Sequence, residues 1–175
     1  MNRTIFIFDL DDTLVKTGAK IKVYSDEGNL VHSLTPEEFN SYVNHNGHTL
    51  DFDDFNDLQI LLGGVLMMKN VKILKDCAKI HDVGMITARS HRMSVLEFIR
   101  EKNLPIKENL IYVVNDPRAP FNGTVAERKK QAFEMLIKMG YDNFIYYDDN
   151  TDNLEAAKSL EQEYSVKFEL HHVKD

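Results

Sequence analysis

The amino-acid sequence predicts an α/β fold with a doubly wound parallel sheet. The run Thr4–Phe8 is short, β-branched and aromatic, which is typical of a central strand buried on both faces. From Asn70 onward, short apolar runs alternate with segments of helical periodicity, and this alternation predicts parallel strands joined by right-handed crossovers. The later strands are predicted at Val83–Thr87, Leu110–Val114, Asn143–Tyr147 and Val166–His171.

The helices between these strands are predicted from apolar spacing and from capping residues. We expect Asn70 to cap the first of them, and Gly140 to end the helix that begins at Thr124. The predicted helices are Val71–Ile80, Ser90–Glu101, Thr124–Met139 and Thr151–Glu163. In a doubly wound fold such helices cover the two faces of the sheet.

Length and composition indicate one ordinary globular domain over residues 1–175. A chain of 175 residues with 43% hydrophobic and 28% charged residues can bury a sizeable core and carry a small insert. No apolar run approaches the roughly eighteen residues of a membrane span, and the N-terminus does not resemble a secretory signal. The single Cys77 cannot form an internal disulfide, which fits a cytoplasmic protein. The net charge of −7 argues against broad nucleic-acid binding but leaves room for a local basic site.

Residues 15–69, called the insert below, are predicted to form a β-hairpin flap followed by a small cap-like segment. Two alternating runs, Lys20–Tyr24 and Leu30–Leu34, flank a Gly-Asn turn and predict the hairpin. Thr35 and Pro36 then predict the start of a short helix, with Thr35 as its N-cap.

Two features of the insert invite a metal interpretation that the sequence does not favour. His45 and His48 lie near each other, but their segment is loop-like and no third histidine or cysteine is close by. The acidic run Asp51–Asp57 is interpreted as a solvated face, with Phe52 and Phe55 packed inward.

A group of carboxylates follows the first predicted strand. Asp9, Asp11 and Asp12 come directly after Phe8, at the kind of strand end where open parallel sheets bind ligands. A single Asp in such a turn often serves as a cap, but three close carboxylates repel one another and need a balancing charge. A divalent cation is the simplest candidate, and Mg²⁺ prefers carboxylate oxygens.

The segment Phe8–Leu14 resembles the first motif of the haloacid dehalogenase (HAD) superfamily, Asp-x-Asp-x-Thr after a hydrophobic strand. The resemblance implies a Rossmann-like sheet with a hairpin flap after its first strand. The second HAD motif is similar to Met85–Arg89, in which Thr87 ends a strand. The third is a lysine near a helix start, for which Lys129 is preferred over Lys130 because it shares the helix's apolar face.

The fourth HAD motif resembles a later strand end that carries paired carboxylates. Asp149 takes the main metal-ligand position in this resemblance. Asp148 and Asn153 take secondary positions, through hydrogen bonds or metal-bound water. Because two acidic strand ends can share one Mg²⁺, this motif strengthens the interpretation of Asp9 and Asp11.

The resemblance implies phosphoryl transfer through an aspartyl-phosphate. Asp9 is the implied nucleophile, and Asp11 is the implied acid and base. Mg²⁺ is expected to be held by Asp9, the backbone carbonyl of Asp11, and Asp149. Thr87 and Lys129 are expected to bind the remaining phosphoryl oxygens. Secondary site residues are Thr13, Arg89, Asp148 and Asn153, with Arg89 either meeting substrate or lying on a helix surface.

The expected activity is Mg²⁺-dependent phosphomonoester hydrolysis. Haloacid dehalogenases lack an Asp at the position of Asp11, so its presence favours a phosphatase. A phosphomutase, and a module that binds Mg²⁺ or phosphate without turnover, stay open as alternatives. The partner is a phosphorylated substrate, and a nucleotide or nucleic-acid end becomes plausible if basic side chains gather at one rim of the sheet. The candidates for that rim are Arg89, Arg92, Arg118, Arg128 and Lys130.

Overall fold

The computed structural model describes residues 3–174. In chain order the strands are β1 Thr4–Phe8, β2 Val15–Lys16, β3 Ile21–Tyr24, β4 Leu30–Leu34, β5 Thr49–Asp51, β6 Val65–Leu66, β7 Asp82–Thr87, β8 Ile111–Val113, β9 Asn143–Asp148 and β10 Lys167–His172. The helices are α1 Pro36–Asn40, α2 Leu58–Leu62, α3 Met68–Cys77, α4 Arg92–Glu101, α5 Val125–Lys138, α6 Thr151–Lys158 and α7 Leu160–Glu163, with 3-10 helices at Asp53–Asn56 and Glu108–Leu110. None of these helices has both the length and the apolar character needed to cross a membrane.

Five parallel strands form the main sheet, in the order β10-β9-β1-β7-β8. The chain builds β7 and β8 on one side of β1 and then places β9 and β10 on the other side. The strand order therefore reverses between β1 and β9, which is the kind of switch point where such sheets bind ligands. The predicted α/β fold with a parallel sheet flanked by helices is confirmed, and its strand order is consistent with a Rossmann-like fold.

Apolar layers cover both faces of the main sheet. One layer joins α5 and α6 to the sheet through Ile5, Ile7, Phe133, Phe144 and Leu154. The other layer joins α3 and α4 to the sheet through Phe8, Leu74, Met85, Val95 and Phe98. These side chains are almost completely buried. Close packing on both faces makes the sheet a rigid base for the residues that follow its strands.

Two helix predictions are wrong in detail. The helix predicted over Val71–Ile80 begins earlier, so that Asn70 lies inside the first turn of α3 and is not its N-cap. The buried Asn70 amide instead donates a hydrogen bond to the Thr13 carbonyl at 2.8 Å, a tertiary contact that a sequence pattern does not contain. The helix predicted over Thr151–Glu163 is divided into α6 and α7 at Ser159.

The insert contains the predicted hairpin and the predicted helix start. β3 and β4 pair in antiparallel fashion around a turn in which Gly28 has a φ of 80°, and β5 adds a third strand. The Thr35 hydroxyl accepts a hydrogen bond from the Glu38 amide at 3.1 Å, and the Glu38 carboxylate accepts one from the Thr35 amide. Reciprocal bonds of this kind satisfy the free amides at the start of α1. A short pairing of β2 with β6 ties the two ends of the insert together.

Candidate functional site

The switch point between β1 and β9 brings the predicted acidic residues together. The Asp9 amide donates to the Tyr147 carbonyl at 2.9 Å and so extends the pairing of β1 with β9 beyond the end of β1. Asp9 therefore lies beside Asp148 and Asp149, which end and follow β9. Each of these three residues offers a carboxylate oxygen, and the oxygens lie within 4.8 Å of one another.

The turn after Asp9 is wound around one carbonyl group. The Leu10 carbonyl accepts hydrogen bonds from the amides of Leu14 at 2.9 Å and Val15 at 3.2 Å. Asp12 takes a left-handed φ of 56°, a conformation that Asp tolerates better than most residues. The turn buries Leu10 and leaves Asp11 and Asp12 lining a cavity, together with Asp9.

Lys129 supplies a buried cation to this cluster. The capping box of Thr124 starts α5, and Lys129 follows on its buried face. The Lys129 ammonium lies 2.9 Å from Oδ1 of Asp9 and 2.7 Å from Oδ2 of Asp148. Burial lowers the pKa of Lys129, but the two carboxylates outweigh it and raise the pKa above its ordinary value. Lys130, the alternative left open by the sequence, pairs with Glu163 at the surface.

Asp148 is fixed by protein donors, and Asp149 is more open. Oδ2 of Asp148 accepts hydrogen bonds from Lys129 and the Tyr146 hydroxyl. Oδ1 accepts from the Asn150 amide at 2.8 Å and from the Asn153 side chain at 3.1 Å. Asp149 is half-buried and lines the cavity, which leaves it better placed than Asp148 to bind a ligand there.

The cluster holds more negative charge than Lys129 balances. Burial raises the pKa of Asp9 well above its ordinary value, and the charges of Asp148, Asp149 and Asp11 raise it further against the opposing effect of Lys129. Burial and the Asp148 charge raise the pKa of Asp149 to about 6. An additional cation would relieve this repulsion, so the donor set fits a hard divalent ion such as Mg²⁺.

Asp11 was predicted to contribute its backbone carbonyl to the metal site, and its carboxylate lies outside the cluster of Asp9, Asp148 and Asp149. Both Asp11 oxygens accept from Arg89, at 2.9 Å from Nε and 2.8 Å from Nη2. Arg89 also donates to the Phe55 carbonyl and is buried. Of the two alternatives for Arg89, the position on a helix surface is therefore wrong, because its buried guanidinium joins Asp11 to the insert.

The two predicted threonines are both fully buried. The Thr87 hydroxyl accepts a hydrogen bond from the Arg89 amide at 3.3 Å. Within residues 3–174, the cavity lining next to it is formed by Ala88, Arg89 and Ser90, and Thr87 itself is not part of that lining. The Thr13 hydroxyl has no hydrogen-bond partner among the described residues.

The cavity at this edge has a volume of about 410 Å³, and its lining includes residues that the sequence did not indicate as site residues. Three of them are aromatic residues of the insert, Phe39, Phe52 and Phe55, and Asn115, after β8, adds a side-chain amide. The expectation that Phe52 packs inward is wrong, because Phe52 is 44% exposed. The sequence signal that could have found the aromatic residues is their position within polar segments of the insert.

The five basic residues considered for a rim of the sheet do not all line the cavity. Arg92 and Arg118 both bond to Asp116, Arg92 through its backbone amide and Arg118 through its guanidinium. Arg128 donates hydrogen bonds to the Gly123 carbonyl and to Oδ1 of Asn115, and Lys130 pairs with Glu163. Of the five basic residues considered, all within the described chain, Arg89 alone lines the cavity.

The two histidines of the insert do not complete a metal site. The rings of His45 and His48 are 5.6 Å apart, and His48 bonds to the Tyr42 hydroxyl at 3.3 Å. The group of metal-ligating side chains found in residues 3–174 is the acidic cluster of Asp9, Asp148 and Asp149.

Comparison of the chain with protein-family models, with curated proteins and with solved structures found no match in any of the three searches. The chemistry of the site therefore has to be argued from its own geometry.

Proposed function

We propose that this protein is a Mg²⁺-dependent phosphomonoester hydrolase that acts through an aspartyl-phosphate, as its resemblance to the HAD superfamily implies. The observation that carries the proposal is the position of Asp9. Its carboxylate lies 2.9 Å from the Lys129 ammonium, next to two further carboxylates at the switch point of the sheet. A carboxylate nucleophile for an anionic substrate needs both a nearby cation and a cavity, and Asp9 has both.

Lys129 is proposed to bind the phosphoryl group of the substrate and to stabilise the charge of the nucleophile Asp9. Its ammonium sits between Asp9 and Asp148, where it reduces the repulsion between Asp9 and an approaching phosphate. Asp148 is held by four donors and keeps Lys129 in this position. The pair is therefore pre-organised before substrate enters, which is the arrangement that lowers a barrier most effectively.

Asp9 and Asp149 are the residues proposed to hold Mg²⁺, and Asp148 supports them through its hydrogen bonds. When bound, the ion would supply positive charge that offsets the repulsion between the carboxylates and a phosphoryl group. The excess of carboxylates over ammonium groups around Asp9 supports this assignment.

Asp11 is the proposed acid and base, and Arg89 determines when it can act. Both Asp11 oxygens accept hydrogen bonds from Arg89, so neither oxygen is available to a leaving group in this arrangement. We propose that substrate phosphate competes for the guanidinium and so releases one Asp11 oxygen toward the leaving group. Arg89 is placed for this exchange because it lines the same cavity as Asp9.

The same ion pair favours a second candidate, a module that binds Mg²⁺ and phosphate without turnover. If Arg89 stays bonded to both Asp11 oxygens after the phosphate ester binds, Asp11 gives no proton to the leaving oxygen and the ester stays bound uncleaved. Turnover separates the two candidates directly.

The test is hydrolysis of p-nitrophenyl phosphate with and without Mg²⁺, in wild type and in Asp9→Asn. We expect Mg²⁺-dependent release of inorganic phosphate in wild type and a loss on the order of 10³-fold in the variant. Asp76→Asn, on the surface of α3, is the control and should retain activity. Bound Mg²⁺ and phosphate without any release of product would favour the binding module instead.

A further inference from the structure

The cavity has two chemically different parts. One part carries the charges of Asp9, Asp149 and Lys129, which the proposed function assigns to the phosphoryl group. The other part is apolar, and most of its residues come from the insert. The apolar members of the lining are Ile21, Pro36, Phe39, Phe52, Phe55, Ala88 and Val125.

Packing in the core does not explain the aromatic lining residues Phe39, Phe52 and Phe55, which are called the aromatic wall below. Phe52 is 44% exposed and packs edge-on against Phe39, with ring centroids 5.6 Å apart and an interplanar angle of 88°. Neither ring belongs to the two apolar layers of the main sheet. An aromatic pair that lines a cavity, here with Phe52 exposed and Phe39 half-buried, is the usual mark of a binding surface for an apolar group.

The polar side chains beside this wall are already engaged. The Ser90 hydroxyl donates to Oδ1 of Asn56 at 2.6 Å, and the Asn115 amide donates to the Ala88 carbonyl at 2.7 Å. Arg89 bonds to Asp11 and to the Phe55 carbonyl. Few donors or acceptors are therefore left there to read the edge of a ring, and recognition has to come from contact area and stacking.

Resting on the proposed function, we infer that the substrates are phosphomonoesters of alcohols that carry a flat ring. The phosphate would lie at Asp9 and Lys129, and the ring would lie against Phe39 and Phe52. The volume of about 410 Å³ falls in the range of sites that hold one small molecule. The polar groups next to the ring's edge are already hydrogen-bonded within the protein. Phosphomonoesters with different rings of similar size are therefore expected to have similar kcat/KM values.

The reaction balances without any further reactant than water. An Asp9 oxygen forms a bond to phosphorus as the bond from phosphorus to the alcohol oxygen breaks, and Asp11 gives that oxygen a proton. Water then bonds to phosphorus and returns a proton to Asp11, while the bond from phosphorus to Asp9 breaks. The products are the ring-bearing alcohol and inorganic phosphate.

The experiment compares benzyl phosphate with butyl phosphate, which have leaving groups of similar basicity and differ in the ring. For wild type with Mg²⁺ we expect kcat/KM to be about tenfold higher for benzyl phosphate, mainly through a lower KM. Phe52→Ala should abolish that preference, because kcat/KM for benzyl phosphate should fall about tenfold toward the value for butyl phosphate. Phe52→Tyr, which keeps a ring, should retain the preference, and Ile80→Ala, an exposed apolar residue outside the cavity, should behave as wild type.

Two failures can be told apart. Hydrolysis of both esters at equal kcat/KM, unchanged in Phe52→Ala, would overturn the ring-binding inference and leave the proposed hydrolase intact. No hydrolysis of either ester by wild type would overturn both. Cytidine and uridine 5′-monophosphates provide a further check, because their rings have the same size and different edges, and a difference above about a hundredfold would show recognition of ring edges, against the inference.

Discussion

The main sheet and the insert are built in different ways and contribute different parts of the site. The sheet has almost fully buried strands and two apolar layers, and it presents Asp9, Asp148 and Asp149 at one edge. The insert has short elements, and β4 is exposed along nearly its whole length. It contributes the aromatic wall of the cavity. We infer that rigid packing fixes the charged residues, whereas the lightly packed insert determines which alcohol is accepted.

The largest effect that sharpens this comparison is expected at Lys129. Lys129→Met leaves the buried carboxylates of Asp9 and Asp148 without their cation, which should lower the free energy of unfolding by about 3 kcal/mol at neutral pH. Burial raises the pKa of Asp9. Protonation of Asp9 removes the cost of burying its charge, so the loss should shrink as the pH falls. Urea unfolding at several pH values measures it.

Lys130→Met is the matched control for that change. Lys130 lies next to Lys129 but pairs with Glu163 at the surface, so its replacement should alter stability by less than about 0.5 kcal/mol. Equal losses in the two variants would contradict the assignment of Lys129 as the buried cation.

A second comparison uses one glycine from each region. A Cβ on Gly84 would lie 2.8 Å from both Cδ1 of Ile7 and the Leu110 carbonyl oxygen, so Gly84→Ala should destabilise the protein by about 2 kcal/mol. A Cβ on Gly18, in the insert, meets nothing within 4 Å, and Gly18→Ala should change stability by less than about 0.5 kcal/mol. Thermal unfolding compares them, and similar shifts would show that the sheet is less tightly packed than the structure indicates.

Mg²⁺ should stabilise the protein through the edge of the sheet and not through the acidic run of the insert. At ten times its dissociation constant, Mg²⁺ should raise the free energy of unfolding by about 1.4 kcal/mol. Asp149→Asn should abolish most of this gain, whereas Asp53→Asn should preserve it. Calorimetric scans with and without Mg²⁺ measure both, and a gain lost only in Asp53→Asn would place the ion in the insert.

The smallest expected effect concerns Asp116, which follows β8. Hydrogen bonds from the Arg118 side chain hold the pKa of Asp116 well below its usual range, and they outweigh the opposing effect of burial. A hydrogen bond from the Arg92 amide lowers this pKa further. A carboxyl group with a lowered pKa stabilises the fold above its unfolded value of about 4, and this stability is lost as pH falls.

Asp116→Asn should therefore cost about 1 kcal/mol at pH 7, and the cost should shrink as the pH falls below about 4. Glu27→Gln, in the hairpin turn of the insert, serves as the control and should cost little at either pH. A cost for Asp116→Asn that grows as the pH falls would contradict the assigned direction of the pKa shift.

The sequence predicted most of the sheet because its pattern is local. The run Thr4–Phe8 and the strand–helix alternation that follows can be recognised from neighbouring residues alone, and the helix predicted from Thr124 is observed as α5. Lys129 could also be chosen in advance, because helical spacing places it on the apolar face of α5 with Phe133.

Other features depend on contacts between distant residues and could not be predicted in this way. The pairing of Asp11 with Arg89 joins residues 78 positions apart. Asn70 looked like a helix cap, and only the tertiary fold shows that its amide bonds to the Thr13 carbonyl. The aromatic wall depends on how the insert folds over the sheet, which the spacing of Phe39 and Phe52 along the chain does not encode.

The central claim is that Asp9 forms a covalent bond to phosphorus. The most direct measurement is to mix the protein with a radiolabelled phosphomonoester and Mg²⁺, quench with acid within milliseconds and map the label by peptide. We expect a base-labile label on the peptide that contains Asp9 in wild type, and none in Asp9→Asn. Release of phosphate by wild type without labelled protein, or a label that persists in Asp9→Asn, would contradict the assignment of Asp9 as the nucleophile.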